Sequence, residues 1–340
     1  MRRRLWIPIV TAASLLLPVA AAQAQAPAAG AEPADARAWL ARIHAAAQQR
    51  NYQGTMVVSA AGGMLSSSRV AHFSVGEQTF ERLEALDGRQ QRVYRVGDAV
   101  HTVWPQQRIV VVEKRTPISR LPSSRAAVEP RALEQYELLR EGVERVAGRD
   151  AQVFLLRPRD ELRYAQRLWA DKATGLMLRA DVIGPQRAVL ESAAFSEVEV
   201  GVRPQADSVT QPMKKFDGYR VVRPEQQHTQ LDAEGWTLEK PVPGFQLSGC
   251  VKRPLETVAA DGPASADAQV LQAVFSDGLT HVSVFIEPNA PRRAKFTDLS
   301  AQIGATATLR QRRDQHWITV MGDVPAATLK AFADALQRRR

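Results

Sequence analysis

The sequence predicts an α+β protein: a curled antiparallel half-barrel sheet with helices across its concave side, followed by a small C-terminal α+β domain. Three observations lead there. From Tyr52 to Val200, apolar and polar residues alternate in short runs separated by Gly, Asp and Pro, the pattern of antiparallel strands joined by tight turns. Two stretches, 35–47 and 132–140, carry helical spacing instead. Residues 201–225 mix Pro, Gly and charge with no sustained period, and so separate this series from a second alternating one that closes on a helix.

Taken in order, Arg2-Arg-Arg4, an apolar run over 5–20 and Ala22-Gln-Ala24 read as a cleavable export signal over 1–24. The run is about 16 residues and holds two prolines, short for a span that needs ~20. An Ala/Pro-rich leader follows. Asp35 caps a first helix with Trp39, Leu40, Ile43, Ala46 and Ala47 on its apolar stripe. Strands are expected at 54–59, 69–75, 78–85, 91–96, 99–104 and 108–113, then at 142–147, 151–157 and 187–200. The clearest hairpin lies at 163–182, where Asp171-Lys-Ala-Thr-Gly175 supplies the turn, with Leu176, Leu178, Ala180 and Val182 on one face of the returning strand. Roughly ten strands in one sheet must curl or close.

A break interrupts the meander. Residues 114–131 hold three prolines and five cations, too long and polar for a hairpin turn. Leu133, Tyr136 and Leu139 then fall at helical spacing over 132–140. Helices and a long loop over a curled sheet either fill it as core, the reading composition favours, or roof an apolar cavity. Past 225, strands are expected at 235–238, 245–252, 269–275, 280–286, 305–310 and 316–320, with Asp277-Gly278 as a hairpin turn and a closing helix at 325–336.

Composition excludes more than it assigns. The formal charge of +9 falls to +6 once the three signal arginines are gone, and the cations are scattered rather than blocked, so nucleic acid is not expected as a partner. Cys250 is the single cysteine, so the fold relies on its core, and the thiol reads as buried and inert. No P-loop, dinucleotide glycine motif, G-x-S-x-G or H-E-x-x-H is present, so neither an enzyme nor a metal or cofactor protein is expected.

Trp169, Asp171, Thr174, Gly175 and Arg179 form a W-x-D-x-x-T-G-x-x-x-R pattern that resembles the hairpin of the lipoprotein-carrier (LolA/LppX-like) half-barrels. With Trp236…Pro243-Gly-Phe245, Lys252-Arg-Pro-Leu255, Phe275-Ser-Asp-Gly-Leu279 and Gly322-Asp-Val-Pro325, the chain from about Ala34 onward resembles the MucB/RseB family. The resemblance implies a periplasmic negative regulator of an envelope-stress, sigma-E type response. Its half-barrel, residues 34–200, would sense a lipid-like signal, either lipopolysaccharide or lipoprotein acyl chains. Its linker, 201–225, and small domain, 226–340, would bind the periplasmic part of a membrane-spanning anti-sigma factor (RseA/MucA-like) and shield it from regulated proteolysis. Candidate lipid contacts are Phe73, Trp104, Val111, Tyr136, Leu139, Phe154 and Leu168, with Arg115, Arg120 and Arg125 on the long loop for phosphates. Candidate partner contacts are Trp236, Phe245, Arg253, Leu279 and Phe285. The apolar candidates fit plain core equally well. A periplasmic lipid or lipoprotein carrier is the alternative, an exported hydrolase with a cryptic site a third reading. Apolar strand faces also allow a homo-oligomer. The hairpin residues themselves are expected to hold the sheet rather than touch a ligand.

Overall fold

The computed structural model describes residues 33–114, 128–254, 269–289 and 297–339. The export signal, and Arg115, Arg120 and Arg125 of the long loop, lie outside the described residues. The first helix, α1 (Pro33–Gln49), leads into β1 (Tyr52–Ala60), β2 (Met64–Val75), β3 (Gln78–Ala85), β4 (Arg92–Val96), β5 (Ala99–Trp104) and β6 (Ile109–Lys114). A 3-10 turn at Pro130–Glu134 precedes β7 (Tyr136–Val146), β8 (Arg149–Pro158), β9 (Ala165–Asp171), β10 (Met177–Ile183) and β11 (Val189–Val200). Each group is an antiparallel meander in which successive strands pair. The two meanders meet at a single seam, β1 against β11, with a bulge where Thr55 opposes Glu197 and Met56 opposes Phe195.

The seam requires Gly54. A Cβ there would stand 2.2 Å from the Glu197 carbonyl oxygen, a backbone atom that cannot swing aside. The sheet curls: β7 touches β11, and Arg82 of β3 lines one hollow together with Ala147 and Gly148 of the β7–β8 turn. Laid flat, β3 and β8 would be six strand spacings apart, ~29 Å. The barrel stays open, because β6 and β7, the outer strands of the two meanders, do not pair.

The linker is not a free tether. A single helical turn, α2 (Asp207–Thr210), and a short strand, β12 (Arg220–Val222), follow β11, and β12 pairs parallel with β6 as the twelfth strand of the sheet. Between them, Val209 is buried, and Val202, Met213, Phe216 and Tyr219 pack with it over Phe73, Phe80, Tyr94, Val103 and Val110. This segment therefore covers β2–β6 as α1 covers β7–β10.

The turn of the 163–182 hairpin is built as its sequence suggests. Asp171 Oδ1 accepts from the N–H of Ala173 at 2.7 Å and of Thr174 at 3.3 Å, its Oδ2 takes the Arg149 guanidinium, and Gly175 closes the loop at φ +80°. Arg42 of α1 donates to the carbonyls of Lys172 and Ala173 at 2.6 and 2.8 Å, which clamps the loop to the helix. Trp169 donates to Glu144 at 2.8 Å and carries the Arg179 guanidinium on its ring face at 4.4 Å.

Two expectations are corrected. Residues 132–140 do not form a helix. After the 3-10 turn the chain is already extended at Tyr136, and Tyr136 and Leu138, two residues apart, are the buried pair. A strand partner was available in β8, and tertiary pairing overrode the local spacing. On β10, Leu176, Leu178, Ala180 and Val182 do not share one face. A bulge leaves Leu178 unpaired between Met177 and Arg179, so Leu176 and Leu178 join the cluster around Trp169 while Met177 and Ala180 join the cluster under α1.

The second domain adds β13 (Gln227–His228), β14 (Trp236–Leu238), β15 (Gln246–Pro254), β16 (Gln269–Ser276), β17 (His281–Pro288), β18 (Leu299–Ile303), β19 (Thr306–Arg313), β20 (His316–Gly322), α3 (Ala326–Ala335) and β21 (Leu336–Arg338). Seven strands form an antiparallel sheet in the order β13-β15-β16-β17-β20-β19-β18, while β14 pairs with β21. Leu329, Phe332, Ala333 and Leu336 of α3 and the residues after it bury one face, against Phe275, Val284, Ile318 and Val320. Cys250 lies within this core, and burial pushes its thiol up to about 11, so it stays protonated and inert.

Replacing Gly54 with Ala forces the backbone of the seam apart. We expect a loss of about 1–3 kcal/mol in urea-unfolding stability, the range for overpacking a tight site, read by far-UV circular dichroism; an unchanged midpoint would show that the two meanders need no close approach.

Candidate functional site

The two domains meet at the tip of the β16–β17 hairpin. Ser276, Asp277, Leu279 and Thr280 are all buried, which no solvent-facing turn would be. The turn is made by Asp277, whose Oδ1 accepts from the N–H of Leu279 at 2.9 Å and of Thr280 at 2.8 Å. The other carboxylate oxygen faces the first domain. Tyr136 donates its hydroxyl to Oδ2 at 3.0 Å, and the Arg163 guanidinium lies 3.4 Å from the same atom. Leu279 enters the apolar cluster formed by α1, the 3-10 turn and β7–β10, beside Ala132, Tyr136 and Phe154. The Glu129 N–H donates to the Gly278 carbonyl at 2.9 Å, and Arg131 donates to the Ser276 carbonyl at 3.1 Å.

Arg163 is the hub. It sits just before β9 with its side chain fully buried. It pairs with Asp160 at 3.0 Å, donates to the Pro243 carbonyl at 2.7 Å and stacks its guanidinium over the rings of Phe245 and Tyr136 at 4.9 and 5.9 Å. Two of these partners belong to the first domain and three to the second once Asp277 is counted. Thr328 of α3 adds a hydrogen bond to the Leu162 carbonyl at 2.7 Å, and Tyr164 packs with Val182 and Ala305.

Burial is the largest influence on Asp277 and holds its carboxyl above the usual carboxylate range. The two backbone N–H groups, Arg163 and the Tyr136 hydroxyl pull the other way without reversing it. Burial and the neighbouring Asp277 push the Tyr136 phenol well above its ordinary value, so it remains a protonated donor.

Beside this contact a cavity of about 280 Å³ opens between the domains. Ala180 and Val182 of β10 line it from the half-barrel with Gln166, and Val274, Leu279, His281, Ser283, Phe285 and Met321 line it from the second domain with Thr306 and Asp323. The Thr306 hydroxyl donates to Asp323 Oδ1 at 2.5 Å. The hollow at the β1–β11 seam is larger, about 580 Å³, but its lining is polar: Gln53, Thr55, Arg69, Arg82, Glu197 and Glu199.

The lipid candidates are not gathered into one pocket. Tyr136, Phe154 and Leu168 are buried together under α1. Phe73 is buried beneath the linker with α2. Val111 is buried, while Trp104 on β5 and Leu139 on β7 are half-buried. None of the seven lines either cavity. Among the partner candidates, Trp236 and Phe245 are buried in the second domain's core and Leu279 is the hairpin peg. Arg253 and Phe285 keep exposed surface and share the sheet face opposite α3, since Phe285 pairs with Gln272 and Gln272 with Val251. The same face runs through Thr319 and Arg310 to Leu299 on the outer strand β18. Sequence reasoning missed Arg163 altogether and read Asp277 only as a turn residue. The available signal was Leu279, an apolar side chain at a hairpin tip, where solvent-facing turns are polar. Among the described residues, no group of three or more His, Cys, Asp or Glu side chains is placed to hold a metal ion.

Truncating Asp277 to Ala strands a buried guanidinium. We expect a cost of about 3–5 kcal/mol by chemical denaturation, with most of it regained in the double variant Arg163→Met/Asp277→Asn, which removes the charge and keeps an acceptor for the turn. A loss below ~1 kcal/mol would mean that the pair is solvated. The pH dependence has a defined sign. A carboxyl raised on folding binds more protons native than unfolded, so its contribution is fullest below the ordinary aspartate value and falls as pH climbs through the raised one. Asp277→Asn should flatten that segment of the stability curve in urea titrations run across acidic pH.

Residues 35–213 match the family profile described as the MucB/RseB N-terminal domain, and residues 230–337 match that of the MucB/RseB C-terminal domain. The sigma factor AlgU regulatory protein MucB of Pseudomonas aeruginosa is 30% identical over 315 residues, covering 89% of this chain and 90% of that protein. The sigma-E factor regulatory protein RseB of Haemophilus influenzae is 24% identical over 322 residues, covering 92% and 94%. A solved complex of P. aeruginosa MucA and MucB superposes with a TM-score of 0.67 at 28% identity, covering 90% of this chain and 99% of the matched one.

Proposed function

Because the chain belongs to the MucB/RseB family, we propose that it is a periplasmic negative regulator of an envelope-stress, sigma-E type response. It binds the periplasmic segment of a membrane-spanning anti-sigma factor and keeps that segment from the protease that would begin its destruction. A lipid-like signal releases it. The observation that carries this reading is the match along both domains to a regulator, MucB, that has been solved in complex with MucA. The match covers nearly all of the relative's length, so the two-domain arrangement belongs to the likeness and not the half-barrel alone.

Burial supports a narrower reading of the partner's contact. Trp236 and Phe245 are committed to the core and Leu279 to the domain junction, so they have no surface to offer a partner. The contact falls on the sheet face opposite α3, where Arg253, Phe285 and Arg310 are half-buried and Leu299 is exposed. Aromatic and Arg side chains on such a face are the types that anchor interfaces. A bare carrier finds less support: the polar walls of the seam hollow do not suit acyl chains, and the apolar side chains under α1 are close-packed.

Isothermal titration against the periplasmic segment of the cognate anti-sigma factor tests this. Phe285→Ala and Arg253→Glu should each weaken binding ~10-fold or more, about 1.4 kcal/mol or above, with unchanged thermal melting. Adding lipopolysaccharide fragments should displace the segment and restore its cleavage. No binding by the unaltered protein, or binding indifferent to lipid, refutes the regulator reading.

A further inference from the structure

We propose that the cavity between the two domains, rather than the interior of the half-barrel, takes the lipid-like signal, and that it accepts a single aliphatic chain whose head group stays outside. The inference rests on the regulator reading and locates its ligand. The half-barrel side chains that would line an internal site, Tyr136, Phe154 and Leu168, are at most 1% exposed and packed against α1. A ligand there would have to displace close-packed core. The interdomain cavity already exists.

Its chemistry is that of a chain and not of a head group. Six apolar side chains, Ala180, Val182, Val274, Leu279, Phe285 and Met321, line it and give it more apolar than polar surface, beside the polar Thr280, His281 and Ser283. At about 280 Å³ it has roughly twice the volume of the ~150 Å³ apolar cavity that suffices for benzene. That is room for one alkyl segment, so a several-chained lipid would insert a single chain. Among the polar lining residues, which include the His281 imidazole, the one carboxylate is Asp323, engaged by Thr306, and it weighs against a phosphate there.

The position explains how a ligand could matter at a distance. One wall is β10 of the half-barrel and the other is the second domain's sheet, so a chain needing more room must move one domain against the other. Phe285 belongs both to the cavity wall and to the face proposed for the partner. Occupancy therefore acts on the partner through a shared side chain, and a ligand that favours the wider spacing disfavours the bound partner by the same differential affinity.

The test uses the full mature chain and 11-(dansylamino)undecanoic acid as the fluorescent probe. Ala180→Phe fills the cavity from the half-barrel side and Met321→Trp from the opposite side, so a folding failure in one leaves the other informative; thermal melting identifies the folded variant. The expected result is blue-shifted probe fluorescence with the unaltered protein, a loss of at least ~10-fold in probe affinity in the folded variants, and retained binding of the anti-sigma segment. Decanol should compete at least as well as decyl phosphate. Unchanged probe binding in the folded variants overturns the location while leaving the lipid signal standing. A decyl phosphate advantage of ~10-fold or more overturns the single-chain specificity. Failure of the unaltered protein to bind the probe overturns the lipid-signal reading together with its site.

Discussion

One buried guanidinium governs how this molecule is assembled. The side chain of Arg163 is removed from water on all sides, and a charge so placed is tolerable only with close countercharge and hydrogen-bond acceptors. The first domain supplies Asp160 and the face of Tyr136; the second supplies Asp277, the Pro243 carbonyl and the face of Phe245. Neither domain can satisfy the charge alone. The junction is therefore specified as well as stabilised, because sliding the hairpin tip by one residue would exchange a carboxylate for an uncharged neighbour. The Leu279 peg, the interdomain cavity and the exposed sheet face all take their positions from this contact.

Much of the fold was legible because local chemistry and tertiary demand agree. The 163–182 hairpin announces itself through Asp171, whose side chain can cap its own turn, and Gly175, which can take positive φ. The apolar stripe of α1 matches the residues it buries. Disagreement begins where a second partner decides. Leu133, Tyr136 and Leu139 are spaced for a helix, yet β8 offers Tyr136 a ladder, and pairing prevails. The Leu178 bulge is invisible in a binary pattern because Leu176, Met177, Leu178 and Ala180 are all apolar, so either register gives an apolar face.

The site was less legible for a related reason. Large apolar side chains that serve a core and those that serve a ligand look alike in a sequence, so Phe154, Leu168, Trp236 and Phe245 could be named but not sorted. Burial sorts them. Arg163 and Asp277 lie more than a hundred residues apart, and nothing local marks either as half of a pair. A charged residue beside a strand is most often a solvated one, and only the packing of two domains shows otherwise.

The β1–β11 seam carries a consequence for biogenesis. Tyr52 pairs with Val200, about 150 residues later, whereas every other contact between neighbouring strands of the two meanders is local. A chain folding from its N-terminus can form β1–β6 early, but β1 keeps an open hydrogen-bonding edge until β11 arrives. Non-local pairing of this kind is slow, and an open edge is where wrong strands add. The half-barrel is thus most vulnerable to misassembly before β11 is in place, when an open strand edge can capture other unfinished chains. Its arrival as a working molecule depends on the same folding capacity of the compartment that those chains compete for.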